Sequence, residues 1–225
     1  MESVKQNLPN EEEVRLEAMK IYNELLKEPE ISEALNLLDS LPKNLKYHNK
    51  DHTLDVLRET ILFAVADGLD EEAIKLQAIA AAWHDVGYVQ RYENNEPVAV
   101  ELFKGSQAFK TLSEEQRDEV VAIILDTQMV MKDGRPFLLQ QRSHSGYVLD
   151  GDVSNFGRQD YLEKRMDVAQ ELNLDLSNSE VKKKFFAFAL ELLKNHQWKT
   201  KSAQVFRKKQ KDNNLALLEE EYAKL

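Results

Sequence analysis

The stretch that decides the fold is DEEAIKLQAIAAAWHDV, residues 70–86. It begins with three acidic residues, which stabilise the start of a helix because the helix dipole is positive there. Its centre, AIAAAW, is apolar nearly all round, and a helix that is apolar on every side is buried between neighbouring elements. The alanines allow those neighbours to approach closely. The stretch therefore predicts a central, buried helix, with Gly87 as its stop.

Helical spacing of apolar residues continues on both sides of this stretch. Seven glycines and five prolines are few for 225 residues, whereas chains with many strands need many turns. No strand pair is recognisable, and MKDGRPFLLQQRSHSG, residues 131–146, is predicted to be the longest irregular segment. The predicted fold class is therefore all-α, a helical bundle. Its further helices are predicted over 11–27, just after Pro29, 50–66 (capped by Asp51 and ended by Gly68), 97–110, 113–130, 160–175, 178–196 and 200–224.

No linker divides the chain into two regimes of composition, so residues 1–225 are predicted to form a single domain. Its core is placed at about residues 40–196. Residues 197–225 are predicted to be a highly charged C-terminal helix, whose apolar content is mainly three leucines. This pattern is typical of a surface helix or of a helix that binds a partner.

The chain is acidic, with 30 basic and 40 acidic residues and a formal charge of −10. Such a chain repels nucleic acid and anionic lipid, because binding there depends on neutralising phosphates. A small anionic substrate remains compatible, since a metal ion reverses the local field. No apolar run approaches the ~20 residues of a membrane span, and the first residues lack a signal-peptide core. A cytoplasmic protein without a membrane partner is predicted.

Cysteine is absent, which excludes disulfides, thiolate metal sites and cysteine nucleophiles. Histidine and aspartate therefore carry the candidate chemistry. His84 and Asp85 close the most apolar helix, where a carboxylate is costly unless a cation or hydrogen-bond donors meet it. His52 lies on an apolar line of the helix predicted over 50–66. Two buried helices that each offer polar groups inward are how helical bundles build metal sites.

Each of these residues alone also has an ordinary structural explanation. A core histidine such as His52 is usually hydrogen-bonded, His-Asp is a common dipeptide, and Asp152 in LDGDVSNFG could cap a turn. The set is more specific than its members. Three pieces of sequence carry it: His52 in YHNKDHTLDVL, His84 with Asp85 in AIAAAWHDVGY, and Asp152 in LDGDVSNFGRQDYL.

Together these pieces resemble the HD-domain superfamily of metal-dependent phosphohydrolases, whose motif is H…HD…D. The C-terminal WKTKSAQVFRKKQKDNNLALLE is similar to the end of one bacterial branch of predicted HD phosphohydrolases, so the resemblance covers most of the chain from about residue 40. It implies an all-α fold and a divalent metal held by His52, His84, Asp85 and Asp152. In Asp-Gly-Asp the second aspartate matches the ligand position, so Asp150 is expected beside the ligands.

One segment departs from the family pattern. Many relatives have a histidine shortly after HD that helps to bind a second metal, whereas this chain has YENNEPVAVE, residues 92–101. One metal ion rather than two is therefore expected, and His144 stays open as a further ligand. Mixed nitrogen and oxygen ligands suit Mn, Fe, Co, Ni or Zn better than Mg.

The same resemblance suggests roles for residues near the motif. Asp85 is expected to hold the attacking water as well as the metal, and Glu96 to orient water or protonate the leaving group. Phosphoryl transfer also needs cationic donors, for which Arg91 is preferred because it lies just past HD. The other candidate cations are Lys50, Arg135 and Arg142. His48 is expected to line the pocket or to lie beside the ligands, and a ligand role for it stays open.

The predicted function is hydrolysis of a small phosphate ester, such as a nucleotide, by a metal-activated water. Two alternatives stay open. One is a metal-binding regulatory or ligand-binding HD protein with little activity, and the other is a di-iron HD oxygenase, against which the missing histidine counts. The branch that acts on cyclic dinucleotides carries a Gly-Tyr-Pro extension, whereas here HD is followed by VGY. A homo-oligomer is compatible with the sequence.

Overall fold

The computed structural model describes residues 11–132, 135–138 and 144–225, with the backbone alone at 130–132 and 135–138. Within these ranges the chain is all-α, as predicted, with eleven helices and one short hairpin. The helices are α1 Glu11–Leu25, α2 Pro29–Leu37, α3 Lys50–Ala66, α4 Glu71–Trp83, α5 Asn95–Gly105, α6 Gln107–Thr111, α7 Glu114–Asp126, α8 Gly146–Asp152, α9 Tyr161–Glu171, α10 Ser179–Asn195 and α11 Lys201–Tyr222.

The hairpin is a correction to the sequence analysis. Strands β1 (Met129–Lys132) and β2 (Arg135–Leu138) pair antiparallel, with Met129 opposite Leu138. This segment was predicted to be irregular and without strand pairing. Strands of four residues give almost no alternation to recognise, but the intervening dipeptide, Asp-Gly, is a known sequence signal for a hairpin.

Helix α4 is the central element, as its sequence predicts. Every residue from Ala78 to Trp83 is fully buried, and α2, α3, α7 and α8 pack around the helix. The indole Nε1 of Trp83 donates to the carbonyl of Glu30 at 2.9 Å, which ties α4 to α2. The carboxylate of Asp70 caps α4 by accepting from the amide of Ala73. Because α4 ends at Trp83, the HD pair lies just beyond its last turn.

Two residues that were predicted to start α3 and to stop α4 do not have these roles in the structure. The side chain of Asn49, and not that of Asp51, caps α3 by accepting from the amide of His52. Gly87 does not stop α4 but lies in the following 3₁₀ turn, Val86–Val89, where a Cβ atom would overlap the carbonyl of Asn95. Gly68 ends α3 as predicted, with a φ of 77°.

The apolar interior has two parts. The larger cluster is formed by residues of α1 to α8 together with Ala203, and the smaller one by residues from Val153 to Leu218. Buried apolar residues thus include Val14, Ala18 and Leu218, which lie outside residues 40–196. Helix α11 is more embedded than a surface helix, because the side chains of Arg207 and Leu218 are buried. No described helix combines the length and apolar character needed to cross a membrane.

Candidate metal centre

The first turn of α3 presents His52 to the interior. The Asn49 side chain accepts from the amide of His52 at 3.0 Å, which fixes where the helix begins. The imidazole is 6% exposed and lies beside the ring of Tyr47, with the ring centroids 4.6 Å apart. The helix start therefore directs His52 inward at a defined position.

The end of α4 supplies His84 and Asp85, both buried. The Nδ1 atom of His84 lies 2.7 Å from the carbonyl of Ala81. Since a carbonyl can only accept, Nδ1 carries a proton, and Nε2 is the ring atom left to face the cluster. A backbone carbonyl in this role is the usual partner that orients a metal-binding histidine.

Helix α8 brings Asp152 to these groups. A Cβ atom at Gly151 would overlap the hydroxyl of Thr60, so glycine permits α8 to lie directly against α3. His52, His84 and Asp152 each offer one ligand atom, and these three atoms lie within 4.8 Å of one another. The three residues form a group whose composition and spacing can hold a metal ion.

Asp85 adds a fourth candidate atom to this group. Its Oδ2 lies 3.2 Å from Nε2 of His84 and 3.5 Å from Nε2 of His52. Oδ1 of Asp152 is 3.0 Å from Nε2 of His52 and 3.8 Å from Nε2 of His84. Neighbouring ligand atoms bound to one ion at about 2.1 Å lie about 3.0 to 3.4 Å apart. The structure thus brings His52, His84 and Asp152 together in a group that could hold an ion, and places Asp85 next to both imidazoles.

Two atoms of the cluster are buried without a hydrogen bond to any described residue. They are Nε2 of His84 and Oδ2 of Asp85. The two atoms lie 3.2 Å apart, so a proton on Nε2 pairs them as an ion pair in the metal-free protein. A divalent cation would displace that proton and bind both atoms. The buried His52–His84–Asp152 group therefore fits a metal ion, and the ligand role of Asp85 stays a prediction.

Strong electrostatic coupling links the members of the cluster. Burial works against the charged form of His84, but the adjacent Asp85 carboxylate outweighs it and raises the pKa of His84 to about 9. Burial likewise opposes ionisation of Asp85, yet the imidazoles of His84, His48 and His52 hold its pKa well below the usual range. The carboxylate is therefore ionised at neutral pH and ready to bind a cation.

His48 belongs to a network that the sequence analysis did not find. Its Nδ1 lies 2.5 Å from the carboxylate of Glu171, which also accepts from the amides of Tyr47 and His48 and from the hydroxyl of Tyr92. Burial opposes protonation, but Glu171 and the cluster carboxylates raise the pKa of His48. His48, which was predicted to line the pocket, is thus held in place by Glu171, and its raised pKa favours the protonated imidazole.

Glu96 also reaches this neighbourhood, at the first turn of α5. It is 9% exposed, and its Oε2 has no hydrogen-bond partner within the described part of the chain. Burial, followed by the charge of Asp85, raises the pKa of Glu96. A carboxyl with a raised pKa beside a candidate metal centre has the character of a general acid.

The two aspartates of α8 have different surroundings. Asp150 is fully buried and accepts from the amides of Lys199 and Thr200 and from the hydroxyl of Thr200. It therefore anchors the start of α11, while Asp152 is the one that lies beside the imidazoles.

None of the basic residues predicted to bind phosphate is found at the cluster within the part of the chain that the structure describes. Arg91 is exposed and donates to the carbonyl of Asn94, and no contact within the described residues joins it to the cluster. Lys50 pairs with Asp39. Arg142 and the side chain of Arg135 lie outside the described residues.

The remaining candidate histidine and a larger groove are separate from the cluster. His144 is exposed, with Nδ1 3.7 Å from the carboxylate of Glu119. A groove of about 1100 Å³ between α1, α3 and α11 is lined by several arginines and carboxylates but by none of the four candidate ligands. Its arginines are paired, for example Arg158 with Asp55 and Arg207 with Glu59.

Comparisons of the chain with protein-family models, with curated proteins and with solved structures gave no match. The resemblance to HD phosphohydrolases therefore stays a prediction that rests on the motif residues. The physical observations on the cluster do not depend on it.

Proposed function

We propose that this protein is a metal-dependent phosphohydrolase of the HD type, which cleaves a small phosphate ester with a metal-activated water. The observation that carries the proposal is the buried His52–His84–Asp152 group with Asp85 beside it, in which two ligand-type atoms lack a partner among the described residues. The order of these residues along the chain, H…HD…D, supports the same assignment.

One divalent ion would be held by His52, His84, Asp85 and Asp152. When bound, such an ion polarises a phosphoryl oxygen and lowers the pKa of a water ligand. Two imidazoles and two carboxylates favour Mn, Fe, Co, Ni or Zn over Mg, because Mg prefers oxygen ligands. The hydrogen bond from His84 to Ala81 holds the imidazole in the tautomer that leaves Nε2 free.

His48 would provide the positive charge that a phosphate group needs. Its ring stacks on Tyr88, with centroids 4.6 Å apart, and its Nδ1 is held by Glu171. Burial lowers the pKa of this imidazole, but its hydrogen bond to Glu171 raises it, and that hydrogen bond does not involve the candidate ligands. This imidazolium replaces Arg91 as our candidate for the phosphate-binding cation.

Glu96 would hold a proton at its carboxyl and give it to the departing oxygen. In the metal-free protein burial raises the pKa of Glu96, which favours the protonated form that this role needs. The complementary step is carried by Asp85, whose ionised carboxylate accepts a hydrogen bond from the attacking water.

The test uses the full chain, stripped of metal with a chelator and reloaded with Mn²⁺, Co²⁺, Ni²⁺ or Mg²⁺. We expect about one ion per chain and hydrolysis of one or more esters in a panel of aryl phosphates, bis-aryl phosphates and nucleotides. Asp85→Asn should remove both the metal and the activity. Glu96→Gln should keep the metal but lower kcat by about a hundredfold or more.

Asp51→Asn is the matched control, since Asp51 is an exposed carboxylate next to His52 in the sequence. It should retain both metal and activity. Full activity in Asp85→Asn would refute the site. A protein that binds one ion but turns over no ester with any metal would favour the regulatory alternative, and two irons per chain would favour the oxygenase.

A further inference from the structure

A cavity of about 170 Å³ opens beside the candidate metal centre, and we call it the side cavity. His48 and Asp152 line one part of it, so it is continuous with the cluster. Its remaining walls come from Tyr47, from Met129 of β1, from Val153 with the 3₁₀ turn Ser154–Gly157, and from helices α9 and α10. They are mostly apolar, and the residues that matter here are Asn155, Phe156, Arg165, Phe188 and Ala189.

A buried arginine, Arg165, forms part of the wall of this mostly apolar cavity. It is only 7% exposed, its guanidinium lies 4.2 Å from the ring centroid of Phe186, and its Nη2 donates to Glu221. Its Nε and Nη1 have no hydrogen-bond partner in the described part of the chain. Guanidinium donors buried in this way are destabilising unless an acceptor meets them, so a residue in the wall of the side cavity carries unused donors.

Asn155 contributes the complementary group. It is 6% exposed, and its Oδ1 is buried with no donor among the residues that the structure describes. Asn155 follows Asp152 by three residues, so its position is set by the same short segment that places the candidate ligand. Two residues with unused hydrogen-bonding atoms, Arg165 and Asn155, thus line one apolar cavity next to the cluster.

We infer that the side cavity binds a planar organic ring that carries both a hydrogen-bond acceptor and a donor, as a carboxamide-bearing ring does. Arg165 would donate to its acceptor and Asn155 would accept from its donor, between walls that include Phe156 and Phe188. Pockets for drug-sized ligands occupy about 300–1000 Å³, so 170 Å³ suits one ring. Aromatic walls favour planar partners. That this ring is the organic part of the phosphate ester rests on the proposed function.

Binding is tested first without any phosphate, on the full chain stripped of metal. The probes are benzamide, which has the ring, the acceptor and the donor, and fluorobenzene, which has the ring alone. Ligand-observed NMR should give a lower Kd for benzamide than for fluorobenzene in the wild type. Arg165→Met should abolish that preference, because it keeps the apolar stem and removes the donors.

Two variants change the shape of the side cavity. Ala189→Leu fills it and should weaken both probes about tenfold or more, while Phe188→Ala removes an exposed part of the wall and avoids the core. The control is Val205→Ala, because Val205 is an exposed apolar residue of α11 that does not line the cavity. This variant should leave the Kd values of both probes unchanged. If Ala189→Leu fails to fold by circular dichroism, Arg165→Met and Phe188→Ala decide the outcome. Equal Kd values for the two probes, unchanged in these variants, would overturn the inference.

Turnover separates this inference from the proposed function. The ratio of kcat/KM for 3-carbamoylphenyl phosphate to that for glycerol 2-phosphate should fall about tenfold in Ala189→Leu. An unchanged ratio in an active enzyme would overturn the inference and leave the function standing. Absence of turnover with both esters, combined with benzamide binding that is lost in Arg165→Met, would refute the function and support the side cavity as a ring-binding site.

Discussion

Asp150 and Asp152 are the same residue type two positions apart in α8, yet their surroundings differ completely. Side chains two residues apart on a helix point in nearly opposite directions. Asp150 is fully buried against the start of α11, and burial raises its pKa to about 6 although the donors of Lys199 and Thr200 lower it. Asp152 remains one-fifth exposed, with Oδ1 3.0 Å from His52. Asp150 therefore stabilises the fold, whereas Asp152 lies at the candidate metal centre.

We expect different losses from the two aspartates. Asp152→Asn should reduce metal content severely and leave the free energy of unfolding little changed. Asp150→Asn should keep the metal but lower the free energy of unfolding by about 1–3 kcal/mol, because an amide cannot accept every hydrogen bond donated there. Metal analysis and urea unfolding measure the two effects. Loss of metal in a folded Asp150→Asn would mean that the wrong aspartate had been assigned.

The sequence could predict the residues of the motif but not their partners. His52 and the HD pair stood out because they lie on or at the end of apolar helices, whereas Asp152 was singled out only by the resemblance of its segment to the HD-domain pattern. Glu171 was not singled out, because it is brought to His48 across 123 residues by tertiary packing. The unpaired atoms of Arg165 are visible only once α9 is packed.

At the scale of elements, the 3₁₀ turn Val86–Val89 joins the end of α4 to α5. Gly87 lies within this turn in close contact with the first residue of α5, Asn95. Its φ is not positive, unlike that of Gly68. Glycine is therefore needed at position 87 for close approach of two backbones and not for a left-handed turn. The contact sets the distance between the HD pair and Glu96.

Gly87→Ala should disturb this distance. The added methyl group would overlap the carbonyl of Asn95, so we expect a loss of about 1–3 kcal/mol in the free energy of unfolding. We also expect a lower kcat at unchanged metal content, because Glu96 moves with α5. Gly105→Ala is the matched control, since nothing lies within 4 Å of a Cβ atom there. Equal stability of the two variants in urea unfolding would argue against the close approach.

Helix positions followed from the sequence better than helix ends or short elements. Amphipathic periodicity located α1, α3, α4, α10 and α11 to within a few residues. It could not locate α8, since seven residues give too few turns for a pattern to show. The burial of one face of α11 was also hidden, because part of that face is polar and is satisfied by Glu59, Phe156 and other distant partners.

At the scale of the whole molecule, α11 joins the two apolar clusters. Ala203 belongs to the larger cluster and Leu218 to the smaller one. Between them, Arg207 donates to the buried carboxylate of Glu59 at 2.6 Å, and Asn214 donates to the carbonyl of Phe156 at 2.9 Å. The C-terminal helix is thus part of the same cooperative interior, and its loss would be expected to expose both clusters.

The pH dependence of the free energy of unfolding should reveal the lowered pKa of His196, which precedes α11 in the chain. The ring of His196 packs against Phe156 and Trp198, and its Nδ1 has no hydrogen-bond partner within the described ranges. Burial, with the charges of Lys211 and Lys199, lowers the pKa of His196 from 6.5 to about 3. The folded protein therefore keeps this imidazole neutral at a pH where the unfolded chain protonates it.

Because the unfolded state binds the extra proton, the contribution of His196 to stability is complete above about pH 7 and is lost as the pH falls towards 3. At pH 5 the loss amounts to about 2 kcal/mol for a shift of this size. Asp150 also titrates in this range. Its pKa is raised in the folded protein, whereas that of His196 is lowered, so the two groups change stability in opposite directions as the pH falls. The informative quantity is thus the difference between the wild type and His196→Gln, whose amide does not titrate. Urea unfolding should show the variant gaining about 2 kcal/mol relative to the wild type between pH 8 and pH 5. A difference that stays constant over this range would mean that His196 is protonated in the folded protein, and that the packing around Trp198 admits water.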